Sequence, residues 1–459
     1  MKRTTIIAAF LLLAAFPAFA GDYARLYNAL PVPISEPAAP LIPDLTVSIL
    51  DFGGVGDGVA LNTEAFRKAI ASLDKRGGGH LVVPAGIWLT GPISLKNRID
   101  LHLERNAMLL LTPDKALHLR DDGKTAPGIS ASKREDISIT GEGIIDGNGE
   151  WWRAVKRGKV SDVEWKDYHL MGGTDAEDGT LWYPFNLKHF GNIAEGYREQ
   201  EKMRVHLIRF TDCRRVLVRG VTIQNSPRFH LVPQRCSDVI IDGVTVRCPW
   251  NAQNGDGIDL MQSKDVLVTG CTVDVGDDGI CLKAGGGEAA LKAGATERVL
   301  ICNNTVFHAH GGFVIGSEFS GGIRDVVVQG NTFSGTDTGL RFKSAPGRGG
   351  KTERVRISDI IMSDIRDQAV VFETTYTNVQ VGEKGSREET DQFVPEFCDI
   401  IIENVVCRDA RIGVKAQGTP AMIHDVVLRD CTFFCTTAAL TDFTDLGLLK
   451  FENVRLLGY

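Results

Sequence analysis

From Asp136 onward the chain repeats one pattern: a charged residue, an alternation of apolar and polar positions over four or five residues, then a turn of Gly, Asn and Asp. The pattern opens at Asp136-Ile137, Arg215-Val216, Asp238-Val239, Asp265-Val266, Arg298-Val299, Asp325-Val326, Arg354-Val355, Asp399-Ile400 and Asp425-Val426. A second short run follows in most units, usually behind a glycine, as in Gly257-Ile258-Asp259-Leu260, Gly279-Ile280-Cys281-Leu282, Gly312-Phe313-Val314-Ile315 and Gly339-Leu340-Arg341-Phe342. Period-two spacing with glycine punctuation predicts strands. A unit of this size cannot bury a core alone, so the units must stack. Their variable length and preference for Val and Ile disfavour a leucine-rich repeat, and they are too short for propeller blades. The expected fold is all-β: a single right-handed parallel β-helix, a solenoid of about ten turns, over residues 47–459.

Helical periodicity is confined to Thr63–Leu73, where Asn62 or Thr63 is placed to cap and Phe66, Ile70 and Leu73 share one face. Such a helix would close the N-terminal end of the solenoid core. Lys2 and Arg3, the apolar run from Ile6 to Phe16 and the small-residue pattern Ala18-Phe19-Ala20 predict a signal peptide over residues 1–20. That run is too short to span a bilayer and no later segment is long and apolar enough, so export to the periplasm or the medium without a membrane anchor is expected. Residues 21–46, Pro-rich between Pro31 and Pro43, read as an extended arm on the surface.

Glycine, at 50 residues, matches a chain of many tight turns. The net charge of −7 gives no general attraction for polyanions, so such attraction must be local to a groove, and no nucleic-acid partner is expected. A capped solenoid is expected to be a monomer. The ten cysteines lack the spacing of a small disulfide framework or a zinc site and are expected to be mostly buried thiols. Cys213 and Cys236 sit at similar offsets before their strands, about 4.8 Å apart if stacked, which suits a bridge or two thiols.

Counting from the glycine that opens each second strand brings the chemistry together. Asp256 and Asp278 each precede that glycine on adjacent turns, roughly 5 Å apart. Asp277 and His310 share the column one residue earlier. Ile258, Ile280, Phe313 and Leu340 point to the core, so Asp259, Lys283, Arg341 and Lys343 face outward. Carboxylates this close repel unless one keeps a proton, and that division is what acid and base catalysis needs. Arg341 and Lys343 offset the charge and suit a substrate carboxylate. A lone Asp in a solenoid turn usually caps backbone amides, but one column carrying the whole set points to a catalytic site.

These residues resemble glycoside hydrolase family 28, the polygalacturonases. Asn254-Gly255-Asp256 is similar to the family's Asn-Thr-Asp, Gly276-Asp277-Asp278 to Gly-Asp-Asp, Ala309-His310-Gly311 to Gly-His-Gly, and Arg341-Phe342-Lys343 to Arg-Ile-Lys. Asp51-Phe52-Gly53, Gly141-Glu142-Gly143 and Asn225-Ser226-Pro227 extend the likeness over most of the chain, while Gly255, Ala309 and Phe342 depart from it. The resemblance implies hydrolysis of α-1,4-galacturonosyl links of pectin with inversion and without a cofactor or metal. It makes Asp277 the general acid, Asp256 and Asp278 the pair that holds and deprotonates water, His310 the tuner of Asp277, and Arg341 and Lys343 the uronate contacts. The separation rule for carboxylates would instead read roughly 5 Å as retention.

Further candidates are Asn254 and His230 for substrate contact, Tyr376 as a stacking ring or a plain surface residue, and Lys283 as a second uronate contact or the ion-pair partner of Asp259. The long excursions at 151–204 and 283–297, with Trp165 and Trp182-Tyr183 as stacking walls or loop pins, suit a groove walled at one end and removal of sugars from chain ends. A rhamnogalacturonan hydrolase, a calcium-dependent pectate lyase and a non-catalytic pectin-binding solenoid remain as alternatives.

Overall fold

In the computed structural model, residues 23–187, 190–376 and 390–458 are described; the expected signal peptide, residues 1–20, lies outside them. The chain winds as a right-handed parallel β-helix whose strands form three parallel columns, the handedness that crossover connections between parallel strands adopt. The first column runs from Thr46–Ser48 through Arg214–Arg219, Ser237–Asp242 and Lys264–Thr269 to Lys450–Glu452. The second begins at Gly86–Thr90 and ends at Arg455–Gly458. The third contains Ile208–Thr211, Leu231–Gln234, Ile258–Met261, Asp278–Lys283, Gly311–Gly316, Leu340–Lys343 and Ile365–Glu373, each paired in parallel with the next.

The register pairs Ile258 with Ile280, Ile280 with Phe313 and Phe313 with Leu340, and all four are buried in the main core. The stacking continues in the aromatics, where the Phe342 and Phe372 rings lie 4.3 Å apart and nearly parallel. The charged residue that opens each unit has a structural cause. Asp136, Arg215, Asp238, Asp265, Arg298, Asp325, Arg354, Asp399 and Asp425 all adopt positive φ, between 48° and 59°. This left-handed kink turns the chain into its strand and points a polar side chain outward. Neighbouring turns then pair: Arg215 with Asp136 at 2.7 Å, Arg298 with Asp265 at 2.6 Å and Arg354 with Asp325 at 2.6 Å.

The helix Thr63–Lys75 buries Phe66, Ile70 and Leu73 against the first turns. Asn62 occupies its N-cap position without capping it; the side chain instead bonds to Val55 and to the carbonyl oxygen of Leu89. Three further helices, Asp162–Leu170, Ile193–Met203 and Glu288–Ala293, correct the expectation that helix is confined to the N-terminal end. All lie in the two long excursions. Within the first excursion Trp182 and Tyr183 are buried in small separate cores, and Trp165 packs against one of them, so these rings pin the loop.

Ahead of the first strand, Tyr23, Val32 and Ile34 pack on Leu217, Ile240, Leu267, Leu300 and Val327, one residue from each of several successive turns of the first column. The Tyr23 hydroxyl donates to Asp242 at 2.8 Å. All ten cysteines are free thiols, Cys213 and Cys236 included. No helix among the described residues is long and apolar enough to cross a membrane.

Candidate active site

A groove runs along the outside of the third column, walled by residues of both excursions. Its floor brings together Asn254, Asp256, Asp277, Asp278, Lys283, His310 and Lys343, with Tyr376 at one side. Arg341 borders the adjoining stretch of surface with His310, Asp337 and Arg366. The glycines at the turns allow the close approach. In place of the Thr of the resembling motif, Gly255 sits where a Cβ would lie 2.9 Å from Cys248 Sγ and 3.0 Å from the carbonyl oxygen of Ala252.

The three aspartates differ in environment. Asp278 is closed in: its oxygens meet Lys343 Nζ at 2.7 Å and Arg341 Nη1 at 3.2 Å, and its side chain is 2% exposed. Burial works to raise its proton affinity, but Lys343 and Arg341 outweigh burial and hold the carboxyl below its ordinary range. Asp256 is 4% exposed and its Oδ2 takes Lys283 Nζ at 2.8 Å, but it shares that ammonium with Asp259 at 2.5 Å. Burial therefore dominates, Asp259, Asp277 and Asp278 add repulsion, and Asp256 is pushed well above the usual carboxylate range. Asp259, wholly buried, is pushed up to about 6 by the same burial against Lys283.

Asp277 is the most open of the three catalytic candidates, with 19% of its side chain exposed to the groove. The backbone N–H groups of Asn254 and Asp278 donate to it at 3.2 and 3.0 Å, and His310 Nδ1 lies 3.1 Å from its Oδ1. Burial works to raise it, but the His310 ring and the ammonium groups of Lys343 and Lys283 hold it well below the ordinary range. The far nitrogen of His310, Nε2, lies 3.0 Å from Lys159 Nζ in the first excursion. An ammonium only donates, so Nε2 accepts, and the proton of a neutral ring sits on Nδ1, pointing at Asp277.

One expected substrate contact is corrected. His230 is fully buried beneath the groove floor, where Nδ1 lies 2.8 Å from the carbonyl oxygen of Asp256 and Nε2 accepts from the Ser226 N–H at 3.2 Å. Burial pushes its imidazole down to about 4. It supports the loop that carries Asp256. Of the two readings of Lys283, the structure has the ion pair, doubled, with the ammonium between Asp256 and Asp259 and the side chain 8% exposed. Tyr376 lies with its ring 5.0 Å from Lys343 Nζ and 5.4 Å from the Arg341 guanidinium.

Several groove residues were absent from the sequence reading: Lys156 and Lys159, Tyr197 and Arg198 on the helix Ile193–Met203, and His206, Arg209, Arg228 and Phe229. Only Arg228 carried a signal, as the residue directly after Asn225-Ser226-Pro227.

The sequence pattern of glycosyl hydrolases family 28 matches residues 178–411. An exo-poly-alpha-D-galacturonosidase of Dickeya chrysanthemi is 28% identical over 385 residues, 79% of this chain and 62% of that protein, so the chain spans less than two thirds of that relative. A probable polygalacturonase of Vitis vinifera is 30% identical over 398 residues, 82% of this chain and 71% of that protein. Among solved structures, a hyperthermoactive exopolygalacturonase from Thermotoga maritima superposes with a TM-score of 0.74 at 29% identity, covering 92% of this chain and 94% of that one.

Proposed function

We propose that this chain, which belongs to glycosyl hydrolases family 28, is an inverting polygalacturonase that hydrolyses the α-1,4 links of galacturonan and releases galacturonate from chain ends. The observation that carries this reading is one half-open carboxyl, Asp277, facing a cation-rich groove beside two closed ones, Asp256 and Asp278. End-wise action rests on the walls that the excursions 151–204 and 283–297 add to the groove and on the exo-acting relatives.

In this reading Asp277 protonates the leaving oxygen while Asp256 and Asp278 hold a water on the other side of the link. Asp256, with the higher proton affinity, is the stronger base and takes the proton of that water. Asp277 is ionised in the empty groove and loads its proton when substrate enters. A uronate carboxylate brings negative charge to Lys343 and so weakens the field that holds Asp277 down. Arg341, Lys343 and Tyr376 are assigned to that uronate, and Asn254 to the wall beside the leaving group. The proposed chemistry needs no metal, and Lys283 on Asp256 Oδ2 with Lys343 and Arg341 on the two oxygens of Asp278 puts three cations where a calcium ion would have to sit. That speaks against a calcium-dependent lyase. Residues 1–20 as an export signal, and action as a monomer in the periplasm or outside the cell, belong to the same proposal.

Digestion of polygalacturonic acid with EDTA present tests the reading. Saturated monosaccharide is expected from the first time points, measured as reducing ends and by chromatography. Ultraviolet absorbance from unsaturated uronides, or binding without any product, would overturn it.

The role of His310 has its own signature. His310→Gln is expected to lower kcat about 100-fold through lost orientation of the acid. Because His310 lowers the proton affinity of Asp277, its removal lets that affinity rise, and since Asp277 titrates below Asp256 in the free enzyme, the acidic limb of kcat/KM moves to higher pH. A limb that stays in place would remove His310 from this role.

A further inference from the structure

Glu396, Cys398 and His424 bring three different metal-binding atoms together, and none of the three lines the groove. Glu396 lies on the short strand Glu396–Phe397, which pairs with Lys351–Thr352, and Cys398 follows it. Phe397 between them is buried in the main core, so Glu396 and Cys398 point away from that core together. Phe397 also pairs with Ile423 of the next turn, which brings His424 level with Cys398. Backbone bonds hold this arrangement: the Phe397 N–H donates to Met422 at 2.8 Å, the His424 N–H to Phe397 at 3.2 Å and the Cys398 N–H to Thr352 at 2.9 Å. The linear spacing of the cysteines shows no zinc motif because one of the three groups comes from another turn.

A thiol and an imidazole beside a carboxylate are often an ordinary polar cluster. Burial, then Glu396, push the Cys398 thiol up to about 12, so by itself it keeps its proton and donates to Glu396 Oε1 at 3.4 Å. The distances point further. His424 Nε2 lies 3.4 Å from the same oxygen, and the three ligand atoms all lie within 4.8 Å of one another. Zinc bonds of about 2.3 Å to sulfur and about 2.0 Å to nitrogen and oxygen, set tetrahedrally, give edges of about 3.5 Å for S···O and about 3.3 Å for N···O. On its other side the ring places Nδ1 2.8 Å from Asp425 Oδ2. A carboxylate only accepts, so Nδ1 carries the proton and the lone pair of the neutral ring, on Nε2, faces the Glu396 oxygen. Two acceptors face to face call for a cation between them, and a carboxylate on the far nitrogen is the usual support of a ligating imidazole. Lys351 Nζ competes from 3.6 Å, but its side chain is half exposed and Glu353 holds it more closely, at 3.2 Å, so it can yield the place as the buried lysines of the groove cannot.

We propose that Glu396, Cys398 and His424 bind a zinc ion tetrahedrally, with water in the fourth position, and so clip the strand Glu396–Phe397 to the turn that follows it. The thiol proton leaves to solvent as the metal binds. Thiolate, imidazole and one carboxylate form a donor set for zinc and not for magnesium or calcium. The partly exposed Glu396 and His424 leave the metal open to water on one side. The ion stabilises the fold and takes no part in the reaction of the groove, so the inference stands independently of the galacturonan reading.

Titration of the full chain, stripped with a chelator, with cobalt(II) and then zinc(II) tests the site. Cobalt is expected to give a sulfur-to-metal charge-transfer band with the visible bands of a tetrahedral centre, and zinc to displace it. Such a band cannot come from the groove trio of Asp277, Asp278 and His310, which offers no sulfur. Cys398→Ser is expected to abolish the band, and Asp425→Asn to weaken zinc about 10-fold through loss of the support to His424. Lys351→Gln, which removes the competing ammonium, is expected to tighten it. Zinc should raise the unfolding temperature of wild type and leave that of Cys398→Ser unchanged. A wild type that shows no charge-transfer band overturns the site before any variant is made, so a Cys398→Ser chain that failed to fold would still leave the question decided. A band that survives His424→Gln at undiminished cobalt affinity belongs to another of the ten thiols and overturns the assignment as well.

Discussion

Asp277→Asn is expected to lower kcat on galacturonan by about 10⁴-fold, the upper range of what a positioned acid contributes. The substitution keeps the shape of the side chain, and its one amide oxygen accepts from either the Asn254 or the Asp278 N–H, which meet different oxygens of Asp277. It removes the transferable proton. Binding of trigalacturonate, measured by calorimetry, should persist, because the cations of the groove are untouched and one carboxylate that repels the substrate is gone. Retained turnover would shift the acid to Asp256, the candidate with the highest proton affinity in the empty site. Loss of binding together with turnover would mean that the substitution had damaged the groove.

Lys283→Met is expected to cost stability as well as activity. The ammonium sits between two buried carboxylates, and removing one partner of a buried ion pair typically costs about 3–5 kcal/mol because the remaining charge is stranded. The sign of the pH dependence follows from the direction of the shifts. Asp259 stands at about 6 even with Lys283 present, and Asp256 is also raised, so both bind a proton more tightly folded than unfolded. Without Lys283 both rise further. Their ionised forms then oppose folding at neutral pH, and the deficit shrinks as pH falls through the raised folded values. Denaturant unfolding at pH 7 and at about pH 5 should display that narrowing. A deficit equal at both pH values would assign Lys283 a packing role instead.

The stacking of turns was legible in the chain because apolar residues recur at alternate positions in most units and each unit opens on a charged residue, which the structure holds at positive φ. The same regularity brings Asp256 level with Asp278 and Asp277 level with His310. What was not legible lay off the repeat. The helix Asp162–Leu170 buries none of its residues, so it shows no apolar face, and only the Ser161–Glu164 capping box announced it. Lys159 reaches His310 from an excursion whose path depends on its own small cores. His230, expected to contact substrate, instead turns its ring inward to hold Ser226 and Asp256, a rotamer choice set by packing. Arg209 and Arg228 escaped notice because a single arginine in a strand or a turn is ordinary, and their place on the groove appears only in three dimensions.

The segment that carries Tyr23, Val32 and Ile34 alters how the stack comes apart. In a solenoid each turn contacts only its neighbours, so opening free energies differ along the axis and the ends exchange their amides first. A strap laid across Leu217, Ile240, Leu267, Leu300 and Val327 adds a link beyond nearest neighbours. None of these turns can open without lifting the strap from the others, which joins them into one cooperative unit for hydrogen exchange. The same turns carry Asp256, Asp277 and Asp278 on another column of the helix. Fluctuations of the carboxylates along the axis are thus restrained from another column of the helix, by residues that do not line the groove.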